Sequence, residues 1–422
     1  MRKHRGDISI IILSVILMGL GLLVMYTIGP VRANFLNATY GSNYSENYFF
    51  IHQLISVGLS LATFYIFSKV DYKKVVKWAR VLIIASILMC VVLAIAQVAN
   101  LSIAKCELGA CRWFSVAGVS IQPAEFVKFA SVIYLAMIFT KYQRESGKKK
   151  LLRNPNFLWR FLLTVGLSLF FVVIVQKDLG SGLPIIMIAL SILFVSGVPL
   201  RSFLLICLAV VVLGVGAVMT SSHRRERLWT YLGLSANGEE SEEDSDAYHI
   251  ENALIAIGTG GLFGAGIGNS VQATGYLPES INDSVFAIMG ETFGFVGLIM
   301  ILLGFFILLV RMLRVSDYTL DMERSLIAVG AFAWVTTHVV VNIMSMTGII
   351  PLTGITLPLL SYGGTSMMMV AAMLGLVYQL SEYTSREIVI DEERSREVFD
   401  ESRVMRPVSY KQTDYSSLRR RR

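Results

Sequence analysis

Charged residues are scarce in this chain. Asp, Glu, Lys and Arg make up 16% of its 422 residues against 55% hydrophobic, and the mean hydropathy is +0.63. That balance excludes an ordinary soluble domain. Cysteine is also sparse, at four. Cys90 and Cys207 lie in apolar runs and read as small buried residues. Cys106 and Cys111 lie in a loop whose compartment permits a disulfide, and their spacing leaves a bond and two free thiols both open. No internal repeat of the kind that marks an inverted-repeat transporter is present. The basic start Met1-Arg2-Lys3-His4-Arg5 leads into an apolar run with no small-residue cleavage site, so no cleavable signal peptide is expected.

What the chain has in abundance is apolar runs long enough to cross a bilayer. About ten occur, at roughly 8–28, 50–68, 81–99, 123–140, 159–176, 182–197, 202–220, 284–310, 325–346 and 357–380, the fifth to seventh being short. The expected fold is an all-α polytopic membrane protein of about ten transmembrane helices. Lysine and arginine concentrate in residues 1–7, 69–80, 141–160 and 311–324 and at Arg419–Arg422, and are sparse in 29–49 and 100–122. An even number of spans with both termini cytoplasmic fits this alternation. The net charge of +7 then reads as a topology signal and a contact for anionic lipid, with no nucleic acid implied. Residues 221–282 become a large extracytoplasmic loop between the seventh and eighth spans. Residues 1–380 form the transmembrane domain, and the charged segment 381–422 is expected to be a disordered cytoplasmic tail.

The stretch from Gly258 to Thr292 closes that loop. Seven glycines fall between Gly258 and Gly275, a density that suits a loop folded against a bulky ligand. Glu279 lies in the loop, Asp283 at its join with the membrane and Glu291 within the following span. Asp283 has an ordinary reading as the N-cap of that span, and a chemical one as a base or divalent-metal ligand at the outer lipid–water boundary. Along the helix Asp283, Ala287, Gly290, Glu291 and Gly294 share a face, open to a neighbouring helix or a lipid chain. Glu291 is eight residues on, roughly 12 Å along the axis, too far to act on the same atom.

Other polar residues sit at membrane depth. Glu125 and Lys128, three apart, share a helix face and read first as a structural ion pair, second as part of a cavity. Arg112-Trp113 lies at the outer interface, where arginine can meet phosphate. Asp178 reads first as a helix cap and second as facing the site. Arg224, Arg225 and Arg227 match phosphate oxygens geometrically, or pair with the acidic insert 235–246, itself a solvated loop by composition. Two prolines and repeated glycines between Thr347 and Ser366 indicate a broken or re-entrant helix against a cavity.

Four stretches, RWFSVAGVSIQPAEFVK, QKDLGSG, AIGTGGLFGAGIGNSVQATGYLPESINDSVFAIMGE and GIIPLTGITLPLLSYGGTS, occur in this order. On them the chain resembles the SEDS family of bacterial cell-wall polymerases, the group of FtsW, RodA and SpoVE. GNSVQ followed by YLPE is more similar to the division branch than to the elongation branch. The resemblance implies a peptidoglycan glycosyltransferase of the bacterial cytoplasmic membrane that polymerises lipid II at the division septum. Implied partners are a class B penicillin-binding protein, which supplies transpeptidation, and other divisome membrane proteins.

The family's essential aspartate falls on Asp283, and its QPxEFxK pair on Glu125 and Lys128. The chain departs from the pattern at Ile281, where the family has His, at Ser284 for Phe, at Lys177 for Pro and at Thr292 for Glu. The family's α-linked donor and β-linked product imply inversion, which needs one base and a stabilised leaving pyrophosphate rather than a second carboxylate. The resemblance therefore makes Asp283 the base, or the ligand of a Mg²⁺ or Mn²⁺ that acts for it. Arg224, Arg225 and Arg227 are candidates for the pyrophosphate, with Arg112, Glu125, Lys128, Glu279 and Ser361 around the substrate. The competing readings are a lipid II flippase, an elongation-type polymerase and a division scaffold.

Overall fold

The computed structural model describes residues 6–107, 110–116, 119–219 and 242–404. Among these the helices are α1 (Ile8–Tyr40), α2 (Tyr48–Lys69), α3 (Tyr72–Lys77), α4 (Ala79–Val98), α5 (Pro123–Ser146), α6 (Pro155–Leu169), α7 (Leu179–Val195), α8 (Leu200–Met219), α9 (Glu242–Thr259), α10 (Val285–Asp317), α11 (Met322–Met346) and α12 (Gly364–Val404). Eight helices are long and apolar enough to span a membrane, and two shorter apolar ones, Leu179–Val195 and Leu200–Gly216, fall where the sixth and seventh runs were placed. Helix starts follow local chemistry: the carboxylates of Asp7, Asp178 and Asp321 accept the amides of Ser9, Ser181 and Glu323, as N-caps do. Pro123 and Pro155 open α5 and α6, where a missing N–H costs nothing.

The loop between α4 and α5 departs from an all-helical reading. It folds into a small antiparallel sheet in the order β1 (Ala104–Glu107), β2 (Ala110–Val116) and β3 (Val119–Ile121). Cys106 and Cys111 face each other in its register and form a disulfide. The region assigned to one outer loop also gains structure: α9 occupies Glu242–Thr259, taking in the end of the acidic insert, while residues 220–241 lie outside the described residues. The last helix runs on to Val404, past the boundary at 380 suggested by composition.

Polar ties gather the chain's basic segments at one end of the bundle. The Asp7 amide donates to Ser381 Oγ at 2.8 Å, and Arg311 approaches the Asp7 carboxylate at 3.5 Å. The Tyr72 amide donates to Gln379 Oε1 at 2.8 Å, and the Arg324 guanidinium lies 5.0 Å from the Tyr383 ring. Asp7, Tyr72, Arg311 and Arg324 thus meet at the end of the last span. The spans α5, α11 and the first part of α12 form the buried centre, while α1, α2, α4, α6, α8 and α10 turn leucine, isoleucine and valine outward, toward lipid.

Candidate active site

Asp283 is held by contacts from three distant parts of the chain, at the end of the bundle opposite the basic one. It lies in a turn just ahead of α10. Glu279 enters that turn at φ 48°, and its carbonyl accepts the amides of Asn282 at 2.9 Å and Ser284 at 3.3 Å. The Ile281 carbonyl accepts the Tyr362 amide at 2.8 Å. Asn342 Nδ2 donates to the carbonyls of both Asp283 and Ile355 at 2.7 Å. On the far side, His249 Nε2 lies 2.5 Å from Ser284 Oγ, which donates to the Pro278 carbonyl at 2.9 Å.

The Asp283 side chain is 6% exposed, and its Oδ1 has no hydrogen-bond partner. The N-cap of α10 is Ser284, without a side-chain cap bond, so capping does not account for Asp283. Its carboxylate points at Gly354, where a Cβ would sit 3.9 Å from Oδ2. Burial is the main force raising its pKa from 3.8 to about 7, and the nearby Glu279 carboxylate adds to it; the amides of Asp283 and Ser284 and the Ser284 hydroxyl pull part of the way back. A carboxylate ionised only near neutrality is matched to taking up a proton there.

The facing wall is the irregular segment that precedes α12. A Cβ on Gly180 would be 2.7 Å from the Thr353 carbonyl and 3.5 Å from Asp178 Oδ1, so residues 353–355 are wedged between the start of α7 and Asp283. Asp178 caps α7 and also accepts from Gln122 Nε2 at 3.1 Å, in keeping with a structural role. Arg112 reaches the same corner, donating from Nη2 to the Lys177 carbonyl at 3.2 Å. Lys177 itself has φ 53°, a conformation closed to proline, which suits the departure from the family pattern there. Of the four non-glycine residues with positive φ among the described residues, Lys177, Glu279 and Leu359 all border this region. Such strain concentrates where geometry serves function.

Glu125 and Lys128 form the expected ion pair, at 2.7 Å, with both side chains buried. Lys128 Nζ also lies 2.9 Å from His338 Nε2 and 5.5 Å from the Trp334 ring centroid, and His338 Nδ1 meets the Thr356 carbonyl at 3.2 Å. The pair thus supports the segment facing Asp283 from behind. Ser361 Oγ accepts the Leu357 amide at 2.8 Å and closes the turn in that segment. Arg224, Arg225 and Arg227 lie outside the described residues.

Two glycines of the glycine-rich loop, Gly260 and Gly264, pack against a break in α10, where Gly294 adopts φ 67° and ψ −171°. A Cβ on Gly260 would come within 2.0 Å of the Gly290 carbonyl, and one on Gly264 within 2.2 Å of the Thr292 carbonyl. The amides of Ala265 and Phe295 donate to the carbonyls of Glu291 and Gly261 at 2.8 Å, so loop and broken helix satisfy each other's backbone. Glu291 accepts Ser270 Oγ at 2.5 Å and the Val271 amide at 2.8 Å, which ties down the same loop. Gly260 and Gly264 therefore serve backbone packing, and the small-residue face of α10 meets the loop and Ile257 of the neighbouring α9.

Four residues bearing on the site, His249, His338, Asn342 and Gly354, carried no signal as ligands or supports in the sequence reading. The four-residue spacing of His338 and Asn342 within an apolar span was the one local hint, since it places two polar side chains on a common helix face.

The FtsW/RodA/SpoVE family, described as cell cycle proteins, matches residues 8–386 of this chain. The chain belongs to that family. The stage V sporulation protein E of Bacillus subtilis is 31% identical over 386 residues, covering 91% of this chain and 99% of the relative. A probable peptidoglycan glycosyltransferase FtsW of Coxiella burnetii is 32% identical over 383 residues, covering 90% and 96%. Among solved structures, a chain from a work on a peptidoglycan synthase complex that coordinates polymerisation and crosslinking superposes with a TM-score of 0.67 at 22% identity, over 90% of this chain and 98% of that one. The rod shape determining protein RodA of Thermus thermophilus gives 0.59 at 23% identity, over 90% and 97%. These likenesses support the FtsW/RodA/SpoVE-type helical membrane fold.

Proposed function

We propose that this chain is a peptidoglycan glycosyltransferase that polymerises lipid II at the outer face of the bacterial cytoplasmic membrane during division, with Asp283 as its general base. One observation carries the assignment to the residue: Asp283 is a buried carboxylate with an unpartnered oxygen, held from both sides and poised near neutral pH. The relatives named as glycosyltransferases supply the reaction class.

The chemistry is a single displacement. Asp283 accepts the proton of the acceptor sugar hydroxyl, the freed oxygen pair forms a bond to the anomeric carbon, and the carbon–oxygen bond to the pyrophosphate breaks with its electron pair leaving on phosphate. The anomeric centre inverts, and one base suffices. The described residues contain no cluster of three His, Cys, Asp or Glu side chains able to hold a metal by themselves. As the alternative to acting as the base itself, Asp283 would hold Mg²⁺ or Mn²⁺ through its unpaired oxygen, with the remaining ligands supplied from outside these side chains. When bound, such an ion supplies charge stabilisation for the departing pyrophosphate. Arg112 stands at the near edge to meet the same phosphates, with Arg224, Arg225 and Arg227 as further candidates. A class B penicillin-binding protein is the proposed partner, by analogy with the synthase complex that shares the fold, and the septum with its other divisome membrane proteins is the proposed location.

Purified protein in vesicles with lipid II and Mg²⁺ is expected to yield glycan strands. Asp283→Ala should slow that reaction by about 10²-fold or more while the protein still folds. Full polymerisation by Asp283→Ala would end the assignment.

A further inference from the structure

Besides the Tyr362 backbone tie to Ile281, two side-chain clamps fix the Asp283 turn, and they differ in kind. The Asn342 clamp lies within the transmembrane core. The other comes from α9, the helix that follows the outer loop, and consists of a single side chain, His249. His249 is 4% exposed and lies 35 residues before Ser284 in sequence.

The protons of this clamp can be assigned. Ser284 has one hydroxyl proton, and the two oxygens it faces, the Pro278 carbonyl at 2.9 Å and the Asp283 carboxylate, can only accept it. The oxygen of Ser284 must then accept from His249, so Nε2 carries a hydrogen and the ring is either the neutral Nε2–H tautomer or charged. Burial lowers the His249 pKa to about 4, so the ring is neutral at physiological pH. The outcome is a chain from His249 Nε2–H to Ser284 Oγ, whose own proton goes to the Pro278 carbonyl or the Asp283 carboxylate, and it ties α9 to the turn carrying Asp283. Ser284 is one of the positions at which the sequence departs from the family pattern, where a phenylalanine could make neither bond.

We propose that His249 is a positioning residue for the Asp283 base, acting through Ser284 to set the depth and angle of the turn 278–284. Helix α9 is in consequence a structural part of the active centre rather than a spacer within the outer loop. This rests on the proposed role of Asp283. His249 touches no reacting atom; its contribution is to keep the carboxylate within reach of the acceptor hydroxyl, where a displacement of about 1 Å can lower the rate by two orders of magnitude.

The test uses the full chain reconstituted in lipid vesicles with lipid II, comparing wild type, His249→Leu, His249→Gln, Ser284→Ala and the double variant His249→Leu/Ser284→Ala. Leucine fills much of the imidazole's space without a donor, whereas glutamine places an amide N–H close to where Nε2 stands. His249→Leu and Ser284→Ala are each expected to lower kcat by about 10- to 100-fold with KM for lipid II unchanged. The double variant should be no worse than the poorer single one, since the two act as one unit, and His249→Gln should recover most of the loss. A kcat for His249→Leu within twofold of wild type overturns the proposal. So does equal loss in His249→Leu and His249→Gln accompanied by lowered melting temperatures, which marks a packing role alone. Should His249→Leu not fold, the Ser284→Ala and His249→Gln pair decides by the same criteria. Absence of glycan from wild type would instead refute the polymerase reading itself, so the two failures are distinct.

Discussion

Near pH 6 Asp283 holds its proton in most molecules, and near pH 8 it has lost it, because burial and the Glu279 carboxylate raise its pKa to about 7. The acid limb of kcat/KM is therefore expected at about pH 7 rather than in the ordinary carboxylate range. Glu279→Gln removes the like charge and should shift that limb to lower pH; an unchanged limb in this variant would mean that another group sets it. Stability carries the opposite sign. The folded protein binds the Asp283 proton more tightly than the unfolded chain, whose aspartate titrates near 3.8, so the stabilisation is complete at low pH and lost as pH rises through about 7. Asp283→Asn should accordingly melt above wild type at pH 8, by up to about 4 kcal/mol, with the difference vanishing toward pH 4.

Among the elements, the broken α10 and the glycine loop threaded against it set the height of the Asp283 turn. Gly264 has φ 85°, and a Cβ there would meet the Thr292 carbonyl at 2.2 Å; backbone cannot yield as a flexible side chain does. Gly264→Ala is expected to lower the melting temperature clearly and reduce polymerisation, at a cost of several kcal/mol. Gly258→Ala, at a helical position with nothing within 4 Å, should be neutral or stabilise by up to about 1 kcal/mol. Equal behaviour of the two would remove the packing account of the loop.

That loop also marks where sequence reading stopped. Glycine spacing correctly signalled close approach, but the partner, Gly290 to Gly294, is named by tertiary packing and not by local pattern. Glu125 and Lys128 were legible because three residues bring two side chains to one helix face. The support they give through His338 was not, since 210 residues separate Lys128 from it. Asp283 was found by its place in a motif, and its two side-chain clamps, His249 at 35 residues from Ser284 and Asn342 at 59 from Asp283, lie beyond any helical or strand periodicity. Strand pairing in the loop before α5 is local, with Cys106 opposite Cys111, and only its cysteines were legible.

For the whole molecule, catalysis depends on which side of the membrane the two ends of the bundle face. In the proposed reaction the donor's sugar and its lipid anchor meet at the membrane surface, so the proposed base must stand at the outer margin while the basic loops stay inside. Asp7, Tyr72, Arg311, Arg324 and Ser381 converge at one end, and Asp178, Asp283 and Gly354 lie at the other. Lysine and arginine near span ends favour the cytoplasmic side, which assigns the first end to the cytosol. Two exposed positions report the arrangement: Tyr276, 56% exposed beside the Asp283 turn, and Lys141, whose side chain is 48% exposed at the end of α5. Single cysteines placed there, with Cys207 changed to alanine, should separate cleanly in intact spheroplasts. A membrane-impermeant maleimide is expected to label the Tyr276→Cys protein directly and the Lys141→Cys protein only after permeabilisation. The reverse pattern would put the base and the sugar on opposite sides of the bilayer, and no local geometry around Asp283 could then make it the polymerising residue.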